Sequence, residues 1–184
     1  DDHQGNIWLS SDNYGIFYYD GTKVHHTVDP RIQAGFLALG LGLNPVTKEI
    51  WAGSLFGQMV KIKDNKVVFY RTTKPNERLP MLNVTFLDDG TGIFCTLIGV
   101  FKMGLNDKDP VWMKELPPIY FRSAFRDGPY IWFLGDEGQL FRWKDGKAVE
   151  FTSIVNPDLA GLDQGLHDFK HGLYWFCSST GLIV

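Results

Sequence analysis

Gly5-Asn6-Ile7-Trp8-Leu9-Ser10-Ser11-Asp12-Asn13-Tyr14-Gly15-Ile16-Phe17-Tyr18-Tyr19-Asp20-Gly21 sets the outline on which the rest of the 184-residue chain is built. It holds an apolar-aromatic pair, a few small or polar residues, then Gly and an apolar-aromatic run closed by a turn. The outline returns as Ile50-Trp51 with Gly57, Ile93-Phe94 with Gly99, Ile131-Trp132 with Gly138, and Tyr174-Trp175 with Gly181. From pair to pair the spacings are 43, 43, 38 and 43 residues. A period of this size, filled with short β-like segments, is that of propeller blades. The expected fold is therefore all-β, a β-propeller with four-stranded blades, read as one segment. Its repeats cover approximately residues 1–30, 31–75, 76–115, 116–158 and 159–184.

The local patterns agree with that period. Asp20-Gly21 and Asp145-Gly146 follow β-like runs, a strong hairpin signal. Consecutive Ile-Trp would be out of place in a sheet wetted on one side, because neighbouring side chains point to opposite faces. A blade covered on both sides removes the difficulty. Gly35 to Leu43 is small, apolar and uncharged, as suits an inner strand where backbones crowd. No helical stripe persists. The first repeat begins at its hairpin and the fifth stops inside a strand, so the chain is expected to be four to five blades of a larger ring. The rival expectation is a small complete propeller with an irregular last blade.

Composition narrows the partners. At 44% apolar and 15% aromatic, the chain can bury a core. Net charge is −3 and the basic residues are dispersed, so neither a nucleic-acid footprint nor a polybasic membrane patch is visible. No apolar run approaches the ~18 residues of a membrane span, and Asp1-Asp2-His3-Gln4 does not resemble a signal peptide. Cys95 and Cys177 fall in the third and fifth repeats. Two blade steps of ~10 Å exceed the ~7 Å Cα limit of a disulfide, so two free, buried thiols are expected.

The candidate chemistry is sparse. Trp8, Trp51, Phe94, Trp132 and Trp175 hold one repeat position, which marks them as structural anchors rather than sugar platforms. His167 and His171 are ~13 Å apart on a strand, and His25 and His26 face opposite ways, so no metal site is expected. The acidic pairs Asp88-Asp89 and Asp136-Glu137 read as hairpin turns rather than paired glycosidase carboxylates. Gly40 to Pro45 is no dinucleotide fingerprint, since no helix follows it, and no cofactor is expected. Asn83-Val84-Thr85 fits a glycosylation acceptor. Binding positions are expected at the starts of inner strands, where a propeller gathers side chains from several blades. Asn83, Arg122 and His167 are placed there in repeats three to five, and Gln33 in repeat two.

Asp2-x-x-Gly5-Asn6-Ile7-Trp8-Leu9-Ser10-Ser11 with Gly15 to Gly21 resembles the two-component regulator propeller repeat. Asp127-Gly128 through Ile131-Trp132, then Gly138-Gln139-Leu140-Phe141-Arg142-Trp143, matches nearly as well. The third copy departs most, with Phe94 for Trp and Cys95-Thr96-Leu97-Ile98 in its connection. The resemblance spans the chain. It implies the periplasmic sensor portion of a bacterial hybrid two-component system, with further blades, a membrane helix and kinase modules in the whole protein. It also implies oligosaccharide ligands and homodimers, and no catalysis in this segment. A propeller-scaffold polysaccharide lyase or glycosidase, and a protein-interaction scaffold, are the alternatives.

Overall fold

The computed structural model describes all residues except 1, 12–13, 28, 30–31, 33–35, 72–78, 152–161, 169, 179–180 and 184, and gives the backbone alone at 162–164, 166–167, 178, 181 and 183. Gln33 lies outside the described residues.

Five antiparallel sheets follow one another in sequence. The first holds β1 (Ile7–Ser11), β2 (Gly15–Tyr19) and β3 (Val24–His26) in that order. The second is β4 (Ala38–Leu43), β5 (Ile50–Ser54), β6 (Met59–Lys63) and β7 (Lys66–Arg71), again ordered as the chain runs. β8 (Met81–Phe86), β9 (Gly92–Thr96), β10 (Gly99–Met103) and β11 (Val111–Trp112) make the third. β12 (Phe121–Asp127), β13 (Tyr130–Gly135), β14 (Leu140–Lys144) and β15 (Lys147–Glu150) make the fourth. The fifth comprises β16 (Leu162–Asp168), β17 (Leu173–Ser178) and β18 (Gly181–Ile183). Up-and-down sheets of this kind, one per repeat, are propeller blades.

The chain divides into two compact units, residues 1–94 with 103–110, and residues 95–102 with 111–184. In the first unit the inner strand β4 packs on β8, and β1 packs on β4. Close approach is made possible by missing side chains. A Cβ on Gly40 would lie 2.9 Å from the Asn83 Cα, one on Gly42 2.8 Å from the Phe86 ring, and one on Gly53 2.3 Å from the Met81 Cβ. The small apolar residues of β4 thus serve strand-to-strand contact, as their composition predicts. Ile16, Ile32, Phe36, Ile50, Ala52, Val60 and Ile62 form the core of this unit. In the second unit β12 packs on β16, and Trp132, Leu134 and Leu140 are buried under Phe125, Phe151, Tyr174 and Phe176.

The hairpins obey the local code. Asp64-Asn65 (φ 48° and 61°) and Asp145-Gly146 (φ 49° and 77°) both place two successive residues in the left-handed region. That is the turn whose twist matches flanking strands, and it needs residues that tolerate positive φ.

The anchor aromatics have a polar handle that explains why the repeat prefers Trp to Phe. The Trp8 indole N–H donates to Asp2 (2.6 Å), that of Trp51 to Glu49 (3.1 Å), and that of Trp132 to Asp127 (3.3 Å). Each carboxylate stands just before the strand that carries its Trp, so the side chain buries its rings and satisfies its single donor. Facing the Trp, on the strand that follows it, lies a cation or an aromatic. Lys61 Nζ sits 3.9 Å from the Trp51 ring centroid, the Arg142 guanidinium 5.5 Å from that of Trp132, and Tyr18 5.2 Å from that of Trp8. Burial draws the Lys61 ammonium below the ordinary lysine range, against the opposing fields of Glu49 and Asp107. Its Nζ lies over the Trp51 and Phe69 rings and donates to the Leu105 carbonyl at 3.0 Å.

Two expectations are corrected. Trp51, Phe94 and Trp132 are buried at 0%, 0% and 8% exposure, but Trp8 and Trp175 are only half-buried. Both cysteines are free, and Cys95 is buried, yet Cys177 is exposed. The cause is shared: these three residues belong to the first and last sheets, which among the described residues lack the four-stranded complement of the middle ones.

Candidate functional site

The inner strands carry a local irregularity that decides which side chains leave the sheet plane. Pairing slips by one residue between Ala38 and Gly40, between Phe121 and Ser123, and between Leu162 and Gln164. The extra residues are Leu39, Arg122 and Asp163. A bulge bends a strand and re-aims the inserted side chain, a device often found beside binding sites. Arg122 is thus singled out by backbone geometry as well as by charge.

The β13–β14 hairpin stands at the same strand end. The Asp136 N–H donates to the Tyr120 carbonyl at 3.0 Å, which ties the hairpin tip to the residue before β12. Arg122 Nε donates to Asp136 Oδ1 at 2.5 Å, with both side chains about one-third exposed. The guanidinium lies 5.5 Å from the Tyr120 ring centroid. Gln139 folds back over the hairpin, accepting from the Glu137 N–H (3.1 Å) and donating to the Glu137 carboxylate (3.3 Å). Glycine at 135 makes room for that fold, because a Cβ would meet Gln139 Oε1 at 2.4 Å. Ile119, Tyr120, Asp136, Glu137 and Gln139 enclose a cavity of about 140 Å³. Ser123, next along β12 and 4% exposed, has a hydroxyl without a hydrogen-bond partner among the described residues.

The three site residues read from sequence do not hold equivalent places. Arg122 is the second residue of β12 and bonds Asp136, which lines the cavity. Asn83 is the third residue of β8, half-buried in the first unit, with its backbone hard against Gly40. The acceptor motif Asn83-Val84-Thr85 lies within an inner strand. His167 is the sixth of seven residues in β16 and pairs with Tyr174 near the hairpin end, opposite to the strand start where Arg122 lies. The inner strands begin earlier than the apolar pattern indicates, which moves each residue along its strand. Asp163, the bulge residue matching Arg122, becomes visible only through the pairing register. Asp136 and Glu137 do form a turn, but the turn also lines the cavity.

The other polar groups are structural. His171 Nδ1 contacts Asp168 Oδ2 at 2.6 Å within one exposed turn. His25 stacks on Tyr18 and His26 on Phe17, on opposite faces of β3. Burial pushes the Cys95 thiol well above its usual range, so it stays protonated. Tyr174 donates to Asp127 at 2.5 Å, and burial together with that carboxylate pushes its phenol up to about 12. Among the described residues no cluster of three or more His, Cys, Asp or Glu could hold a metal ion, and no helix is long and apolar enough to cross a membrane.

No protein-family model and no curated protein matches the sequence. Solved structures do. The extracellular domain of the putative hybrid two-component system BT3049 from B. thetaiotaomicron has a TM-score of 0.72 at 20% identity, over 99% of this chain and 25% of its own length. The corresponding domain of BT4673 from the same organism has a TM-score of 0.67 at 18% identity, over 96% of this chain and 24% of its own. Virginiamycin B lyase from Staphylococcus aureus, solved as an inactive variant with quinupristin, has a TM-score of 0.69 at 14% identity, over 99% and 66%. Two of these three are extracellular domains of the type the repeat motif resembles. The chain has an all-β propeller fold and spans about a quarter of the length of the two extracellular domains whose fold it shares.

Proposed function

We propose that this chain is part of an extracytoplasmic sensory propeller of a two-component system, which recognises an oligosaccharide and passes the binding signal to a separate module without catalysing a reaction. The observation that carries the reading is the group at the head of the fourth sheet. A tyrosine, two carboxylates and an amide line one small cavity, and Arg122 pairs with the first of the carboxylates. An aromatic face with convergent hydrogen-bonding groups is what a polyhydroxylated ring requires. The shared fold with extracellular two-component domains supports the setting, and fold alone does not assign a ligand. In this reading the remaining blades, the signalling modules and a second protomer are the partners.

The test is calorimetry of the intact protein with a panel of plant and microbial oligosaccharides, comparing wild type with Arg122→Ala. Saturable binding lost in the variant is the expected result. Unchanged affinity removes Arg122 from the site, and absence of any glycan binding defeats the sensor reading. The likeness to a lyase keeps a turnover assay in the design: product formation from a bound glycan would favour an enzyme on this scaffold.

A further inference from the structure

We propose that the fourth-sheet cavity selects uncharged sugar units over uronate- or sulfate-bearing ones, an inference that rests on the oligosaccharide reading above. Equivalent hairpins of the second and fourth sheets carry different side chains. In the second sheet the turn is Ser54-Leu55-Phe56-Gly57-Gln58, with Leu55 and Phe56 exposed at 37% and 39%. Ser54 Oγ donates to Gln58 Oε1 (2.9 Å) and Gln58 Nε2 to the Tyr70 hydroxyl (3.2 Å), so that amide is consumed internally. The fourth sheet has Gly135-Asp136-Glu137-Gly138-Gln139 on the same hydrogen-bonding frame. The Leu55 N–H donates to the Leu37 carbonyl as the Asp136 N–H does to that of Tyr120. Replacing Ser by Gly lets Gln139 fold over the turn, and replacing Leu-Phe by Asp-Glu puts two carboxylates at the cavity.

The charge balance there is negative. Arg122 is engaged by Asp136 at 2.5 Å, which leaves Glu137 without a cation among the contacts that line the cavity. Glu137 is exposed, and one of its oxygens is held by Gln139. A carboxylate in this setting accepts hydroxyl hydrogens through charge-assisted bonds, stronger than those to neutral acceptors. An incoming carboxylate or sulfate would face Glu137 directly and would have to compete with Asp136 for Arg122. Like charges at such range are repelled, and the repulsion weakens with salt. Glu137 is then a specificity-determining residue, and Arg122 acts by neutralising Asp136 rather than by taking an anionic ligand.

The experiment uses the intact protein with neutral gluco-, manno- and xylo-oligosaccharides, and with oligogalacturonates beside their methyl esters, which differ only in charge. The expected result is binding of a neutral glycan with little salt dependence, weakened about tenfold in Glu137→Gln as charge-assisted bonds are lost. Glu137→Lys should raise the affinity for the free galacturonate relative to its ester. A preference for an anionic glycan that falls as salt rises and vanishes in Arg122→Ala would overturn the selectivity while leaving the sensor reading intact. Binding of no glycan would overturn both, and the two failures are distinguishable in the same titrations.

Discussion

Gly53→Ala tests the physical account of blade stacking most directly. Gly53 is buried on β5, and the Cβ that alanine would add lies 2.3 Å from the Met81 Cβ and 3.2 Å from the Met81 carbonyl oxygen. Carbon atoms in ordinary contact stand about 3.5–4.0 Å apart, so β5 and β8 would have to separate by more than about 1 Å. The obstacle is a Cβ and a backbone carbonyl, so no rotamer change relieves it. Overpacking of this kind costs roughly 1–3 kcal/mol, and for a chain of this size each kcal/mol lowers Tm by about 2–4 °C. Gly135→Ala is the matched control. Its first clash is with the flexible end of Gln139 at 2.4 Å, which can swing away. Urea unfolding of the intact protein should give a clear loss for Gly53→Ala and a smaller one for Gly135→Ala. A Gly53→Ala variant within about 0.5 kcal/mol of wild type would refute the claim that missing side chains set the inter-strand distance.

Further outcomes follow from the anchors and titrating groups. Asp127→Ala strips the acceptor from both the Trp132 indole and the Tyr174 hydroxyl, and should cost about 1–3 kcal/mol by urea unfolding. Phe substitution of Tyr174 in that background should recover part of the loss, since it removes one orphaned donor. Tyr174 has a phenol pKa raised from 10.0 to about 12, so its contribution is complete below pH 10 and is lost as pH rises through about 12. Melting temperatures of wild type and Tyr174→Phe should therefore converge across that window; parallel curves would contradict it. A thiol reagent at neutral pH should modify Cys177 in the folded protein and reach Cys95 only after unfolding. Rapid modification of both in the native state would show that the third sheet is not closed as described.

Much of the architecture was legible in one dimension because a propeller is a periodic object. The pairs at Ile7, Ile50, Ile93, Ile131 and Tyr174 each stand at the start of a strand, and adjacent Ile and Trp are both apolar because the strands that carry them in the middle sheets bury the side chains of both faces. Turn chemistry was equally local: Asp145-Gly146 needs two positive φ angles, and residue type alone announces that tolerance. The depth of burial was not local. Trp8 and Trp51 share a motif and a carboxylate partner, yet only Trp51 is closed off from solvent, because exposure depends on which strands stand beside the sheet.

The candidate site followed the same division. Arg122 could be picked as a charged residue near an inner strand, but its bulge is a property of two paired strands and has no signature in either alone. Asp136 and Glu137 read as a turn, which they are. Their second role arises because the β13–β14 hairpin returns to Tyr120 across 15 residues of intervening chain, a closure made by a backbone hydrogen bond. His167 failed as an equivalent of Arg122 because a shift of a few residues carries a side chain from one end of a short strand to the other. Period and residue type thus determine the blade and its anchors. Register, which depends on pairing between segments distant in sequence, decides which side chains meet at its head.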